Sequence, residues 1–314
     1  MRDATFTVRR AARTGEPWRR PRLARAGERL VEVGLAASSL MAVGVTLLIV
    51  GILASGSVPF FQRVSVSEFL GSTRWAPLTI PQSYGVVALL ADTLVIVAIS
   101  LGVAVPFGIL SAVFLTEFAG RLAGVARSLL ELLAGIPTVV YGFFAVKVVT
   151  PALQATVLPQ LGFWNGLSAG LVMGFMILPT VVSLTEELLR AVPGELREAA
   201  YALGATRYEA AVQVVLPAAT SGIGAACILA MSRAVGETMI VALAAGRTPA
   251  WPPDPTQPMM ALTTTIVNIA TGDHEATAFI WSALFAIGLL LFCITLVLNL
   301  ASFLVVRRFK ERFG

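Results

Sequence analysis

Between Ala210 and Gly246 the chain carries only two charged residues, Arg233 and Glu237. A spacing of four places both on one face of a helix, within pairing reach. Two kinds of chemistry fit that arrangement. The residues form a structural ion pair that fixes helix packing, or they face a polar cavity and handle a charged ligand there. Ser232 and Thr238 add hydroxyl groups beside them. An arginine at the centre of a membrane helix costs ~2.5–3.5 kcal/mol on insertion scales, so ionisable groups in such helices are paired or line a functional cavity. That rule favours the second reading.

Catalytic constellations fail elsewhere. A phosphate-binding loop ends in Gly-Lys-Ser/Thr, with the lysine on the phosphates. The two lysines, Lys147 and Lys310, follow no such loop, so the chain is not expected to bind ATP in that way. One histidine, His274, rules out a two-histidine zinc motif. Cys227 and Cys293 both lie in apolar runs and are too few for a zinc cluster or a disulfide framework. No cofactor, metal site or catalytic residue is expected, and the chain is not read as an enzyme. Gly166-Leu167-Ser168-Ala169-Gly170 does match the Gly-x-Ser-x-Gly nucleophile elbow. That elbow needs a strand–turn–helix setting, whereas this site opens an apolar helix. An intramembrane serine protease would also need His274 as its base, and His274 sits in a polar loop. Small residues that let helices approach closely account for the same five positions.

The elements that position Arg233 and Glu237 follow from composition. Of 314 residues, 57% are hydrophobic and 13% charged, against about 25% charge in soluble domains. Charge-free runs cover 33–62, 93–116, 148–185, 210–232 and 276–306, with a shorter one at 132–146. A membrane helix needs ~20 apolar residues. The pattern predicts an all-α, polytopic membrane protein with six transmembrane helices, near 31–55, 86–115, 127–149, 166–189, 220–245 and 277–305. No period-2 pattern recurs, which argues against a β-barrel.

Basic residues set the orientation. Nine arginines lie within the first 29 residues. Arg121 and Arg127 fall between helices two and three, Arg190, Arg197 and Arg207 between four and five, and four more basic residues follow helix six. The asymmetry predicts both termini in the cytoplasm, with 1–29 and 307–314 as basic cytoplasmic tails. The run behind residue 29 is too long for a signal peptide and reads as an uncleaved anchor. Residues 30–85 then hold the first helix and its outer loop. An arginine-rich tail beside anionic lipid needs no nucleic-acid partner. Lys147 is expected to snorkel. Tyr141, Phe143 and Phe144 are expected to pack rather than gate. The segments 56–85 and 246–275 are expected outside, the second with five prolines.

The loop 190–218 is the most legible stretch. Pro193 suits a first helical position, and Glu195 favours the positive end of the helix dipole. Gly204 can close that helix in a left-handed conformation. Thr206 and Glu209 form a capping box for a second helix, and Pro217 is expected to mark the start of helix five. Glu198-Ala199-Ala200, Gly204 after three residues, and Leu216-Pro217 resemble the EAA loop of ABC importer permeases, with Val214 where that pattern has isoleucine. Glu131 to Phe144 (ELLAGIPTVVYGFF), Ser232 to Met239 (SRAVGETM) and Thr116-Glu117-Phe118 resemble the phosphate permeases, and Trp75-Ala76-Pro77 favours the PstC type over the PstA type. Asp92 departs from that pattern, standing where a glycine is expected before Thr93.

The resemblance implies a type I ABC importer permease (MetI-like) fold over 86–306, in the cell membrane. It implies phosphate as substrate, a PstA-type permease, two copies of a PstB-type ATPase and an extracytoplasmic PstS-type phosphate-binding protein as partners, and membrane lipid around it. ATP would be hydrolysed by the ATPase subunits. Glu198, Ala199, Ala200, Gly204, Leu216 and Pro217 would couple to the ATPase. Arg233, Glu237, Ser232 and Thr238 would lie on the substrate path. A guanidinium fork matches two phosphate oxygens, and Glu237 can accept a hydrogen bond from a protonated phosphate oxygen. Pairing with Glu237 would let Arg233 release its ligand. A permease for molybdate or sulfate, or a secondary carrier, is the alternative; the EAA spacing disfavours the carrier, which has no ATPase to grip.

Overall fold

A computed structural model describes residues 22–272 and 278–313. The chain divides into two compact units, 1–52 and 53–314. In the described residues six helices are long and apolar enough to cross a membrane: Val31–Phe61, Val87–Phe118, Thr138–Thr156, Gly166–Ala191, Arg207–Val235 and Ala278–Val305. The chain is thus a multi-pass membrane protein. The predicted tail 1–29 lies largely outside the described residues. Its last part is already helical, because α1 runs Arg22–Phe61.

In the second unit, α2 (Val66–Gly71) and a two-stranded antiparallel ribbon follow α1. Its strands β1 (Trp75–Ala76) and β2 (Ser83–Tyr84) pair Trp75 with Tyr84. Phe60 gathers Phe61, Phe69, Tyr84 and Phe279 within 5.2–5.8 Å, so an aromatic knot holds this end together. Next come α3 (Val87–Phe118), α4 (Ala123–Gly135), α5 (Thr138–Thr156) and α6 (Gly166–Ala191). The predicted third helix, 127–149, is therefore two helices. Pro137 splits them, because its ring cannot continue α4 and its φ of −58° suits the entry to α5.

Helices α3 and α6 form the central seam. A Cβ on Gly170 would lie 2.8 Å from Ile99 Cβ, and one on Gly174 would lie 2.9 Å from the Ser100 carbonyl oxygen. Four-residue glycine spacing thus lets two backbones approach closely. The Ser168 motif belongs to this packing.

At the end rich in arginine, the basic end, α7 (Gly194–Ala202) leads to α8 (Arg207–Val235). The predicted boundary at Pro217 is absent. A π-helical turn, Ala210–Val215, precedes it, and the helix runs through. The wider turn shifts the hydrogen-bond register where proline supplies no N–H. Helix five ends sooner than predicted, at Val235, and resumes as α9 (Met239–Ala244). Residues 246–275 are not a simple surface loop. They include α10 (Leu262–Thr271), and Met259 to Thr265 are buried. The last helix, α11, is Ala278–Phe313.

Candidate functional site

The break in helix five, residues 236–238, carries the predicted substrate-path residues and alters their geometry. Because α8 stops at Val235, Arg233 and Glu237 do not share one continuous helix face. No ion pair joins them among the described residues. Glu237 Oε1 instead accepts the backbone N–H groups of Met239 and Ile240, at 3.0 and 3.3 Å, and so caps α9. Thr263 of α10 donates to the Glu237 carbonyl at 2.8 Å. Thr238 donates to the Gly236 carbonyl at 3.3 Å. Ser232 is buried, one position round the helix from Arg233.

Arg233 is exposed, and among the described residues its guanidinium has one weak polar contact, from Nη2 to Met176 Sδ at 3.8 Å. A thioether is a poor acceptor. The cation is therefore not neutralised, and its fork is open to a ligand that supplies oxygens. Thr263 was not singled out from sequence. Three consecutive threonines opening an apolar helix are the only signal for it.

At the basic end the loop has the predicted local geometry. Gly204 has φ +87°, donating to the Tyr201 carbonyl, while Ala205 donates to Ala200, a Schellman closure. Pro193 stands one position earlier than predicted, as the N-cap of α7. Thr206 and Glu209 form the reciprocal capping box. Glu198, Ala199 and Gly204 are exposed, Ala200 is buried, and Pro217 is exposed beside half-buried Leu216. Leu203 at the turn is 90% exposed, flanked by exposed Tyr201 and Tyr208.

Sequence reasoning missed the ion pairs that seat this loop. Arg197 donates from Nε and Nη2 to Glu117 Oε1 at 3.2 and 3.0 Å, and to the carbonyls of Val192 and Leu189. Arg127 and Arg190 converge on Glu186 Oε1 at 2.7 and 2.6 Å. A cleft of about 370 Å³ opens beside that cluster, reached also by Glu131 and Ser183. Arg190 and Glu186 are four apart, a readable signal; Glu117 and Glu186 are far from Arg197 and Arg127 in sequence, so those pairs were not legible.

At the opposite end, Asn165 caps α6 by accepting from Ser168 N at 2.7 Å and donates to Gly162 O and Thr150 Oγ1. The Ser168 hydroxyl is buried and accepts from Thr150 Oγ1 at 2.9 Å, which is a packing contact and not a base. His274 lies outside the described residues. Lys147 is exposed. Tyr141 is buried and donates to the Leu133 carbonyl, whereas Phe143 and Phe144 are exposed. Asp254, beyond the helices, accepts from Thr256 N and Oγ1, which holds its carboxyl below the usual range.

Residues 104–313 match the family described as binding-protein-dependent transport system inner membrane component. A probable ABC transporter permease protein, YqgH, of Bacillus subtilis is 35% identical over 79% of each chain. The phosphate transport system permease protein PstC of Mesorhizobium japonicum is 36% identical over 76% of this chain and 78% of its own. PstC 1 of Mycobacterium tuberculosis is 36% identical over 72% of this chain and 73% of its own. An inward-facing structure of the MetNI methionine ABC transporter superposes with a TM-score of 0.52 at 19% identity, covering 72% of this chain and 94% of that one. That likeness bears on the fold, which is that of a type I importer permease.

Proposed function

The chain belongs to the family of binding-protein-dependent transport system inner membrane components, and we propose that it is the permease subunit of an ATP-driven importer that moves inorganic phosphate. The observation that carries the substrate is the run of relatives named as phosphate permeases, 32–36% identical over most of the chain. The open guanidinium of Arg233 supports it, since a planar fork suits a tetrahedral oxyanion. Arg233 takes two phosphate oxygens, with Ser232 and Thr238 nearby. Glu237 spends one oxygen on the α9 cap, so its role toward a protonated phosphate falls to the other.

In this reading the basic end faces the cytoplasm, both termini lie there, and the membrane is the cell membrane. The exposed Leu203, Tyr201 and Tyr208 around the Gly204 turn form the knob that a PstB-type ATPase grips. Glu198 and Ala199 lie on the same loop. A PstA-type permease completes the pathway, and a PstS-type protein delivers phosphate to the outer end. Hydrolysis of ATP belongs to the ATPase partners.

The test is uptake of labelled phosphate into vesicles holding all subunits and ATP. Uptake that sulfate and molybdate do not compete with supports the reading. Competition by either at equal concentration would favour the other-oxyanion permease. Uptake that needs a proton or sodium gradient and no ATP would favour the secondary carrier.

A further inference from the structure

The segment joining α9 to α10, residues 245–261, holds five prolines, none with an N–H to donate. Two of its remaining donors, Ala250 and Met260, ten residues apart, converge on one atom. Both donate to Asp92 Oδ2, at 3.0 and 2.9 Å. The adjacent Thr93 Oγ1 accepts from Leu262 N at 3.1 Å. Asp92 lies in the second turn of α3 and is wholly buried, and its other oxygen, Oδ1, has no hydrogen-bond partner among the described residues.

The place of this contact gives it meaning. Helix α9 connects the segment directly to the break at 236–238, and α10, which follows the segment, donates from Thr263 to the Glu237 carbonyl. The segment is thus flanked by two elements tied to the break.

We propose that Asp92 is a positioning residue that clasps the proline segment onto α3 at Ala250 and Met260, steadying the neighbouring break at 236–238, and that this clasp opens during transport. The proposal rests on the transport function above. The oxygen without a protein donor makes the clasp reversible. A buried carboxylate oxygen without a donor is unfavourable, so water entering on opening solvates Oδ1 and offsets the loss of the two N–H bonds. A glycine at this position would offer no acceptor at all.

The test uses the complete importer in vesicles. Hydrogen exchange is followed across 245–262, and ATPase activity is measured without the binding protein. In Asp92→Leu, exchange in that segment should rise at least about tenfold, the loss expected when charge-assisted hydrogen bonds go. Exchange in the 194–209 loop should stay unchanged, and binding-protein-independent ATPase activity should increase severalfold. Asp92→Asn keeps one acceptor oxygen and should stay near the parent. Thr93→Val, isosteric and tolerated if the leucine variant fails to assemble, should speed exchange at 260–262. Unchanged exchange in these variants would overturn the clasp. Faster exchange with unaltered ATPase activity and uptake would reduce Asp92 to a packing role and overturn its part in transport. Exchange reports the clasp whatever the substrate, so a parent complex that takes up no phosphate counts against the proposed function alone.

Discussion

The two ends of the bundle are held by different physics. At the basic end, the 194–209 loop is shaped by contacts a few residues long. Gly204 and Ala205 close α7 on their own helix, and Thr206 and Glu209 cap α8 reciprocally. Long-range charge then seats the finished unit, through Arg197 and Glu117. At the opposite end, residues 245–262 have one local turn, Asp254 to Gln257, and otherwise depend on longer contacts. Asp92, Thr93 and the α6 cap region hold them, with the N–H groups of Gly162 and Leu167 donating to the carbonyls of Thr256 and Pro255. A unit folded locally can be moved as a rigid body. A segment fixed chiefly by distant partners can be released when those partners let go.

Several variants would break or sharpen this contrast. The largest effect is expected from Gly204→Val. A left-handed φ disfavours a β-branched residue, by about 1–2 kcal/mol or more, and the rigid turn would deform. Phosphate uptake should fall to background and ATPase co-purification should weaken, while membrane insertion is unchanged. Full uptake would withdraw the 194–209 loop as the element that couples to the ATPase.

Next in size is the Glu117–Arg197 ion pair. Glu117→Ala leaves Arg197, 19% exposed, without its carboxylate. A loss of roughly 1–3 kcal/mol is expected for breaking a mostly buried pair, below the ~3–5 kcal/mol of fully buried ones. The melting temperature of the complex should fall, and Glu117→Arg combined with Arg197→Glu should restore part of it. No recovery in the swapped pair would show that the carbonyl contacts of Arg197 matter and the charge does not.

The smallest effects separate the two ends most cleanly. Glu209→Ala should lower the unfolding midpoint only slightly, as loss of half a capping box does, and should add independently to the effect of Asp92→Leu, since distant sites are additive. Asn165→Ala should instead couple to Thr150→Val, because both sit in one buried network. A double-mutant cycle on unfolding midpoints distinguishes the two cases; equal additivity in both would blur the contrast.

This difference also governs what was legible. The six spans, the Gly204 turn and the capping box follow from patterns within a few residues, so the sequence contains them. Pro217 misled, because a proline reads as a boundary unless the π-helical turn before it is known, and that turn has no sequence signal. Asp92 stood out as a departure from a family pattern, yet its partners Ala250 and Met260 lie over 150 residues away. Arg233 and Glu237 were marked as the two charges between Ala210 and Gly246. Their geometry was not foreseen, since their spacing implies a continuous helix and the chain breaks at Gly236 between them.

That break supplies the most direct test of the central claim, that Arg233 meets the transported phosphate. Because Arg233 is not paired with Glu237, Arg233→Leu removes no structural ion pair and should assemble normally. Phosphate uptake, normalised to assembled complex, should fall about 30- to 100-fold, the loss of a charge-assisted contact of ~2–3 kcal/mol. Arg233→Lys should keep the charge, lose the fork and be impaired as well. Near-normal uptake by Arg233→Leu would contradict the account and withdraw Arg233 from the substrate path.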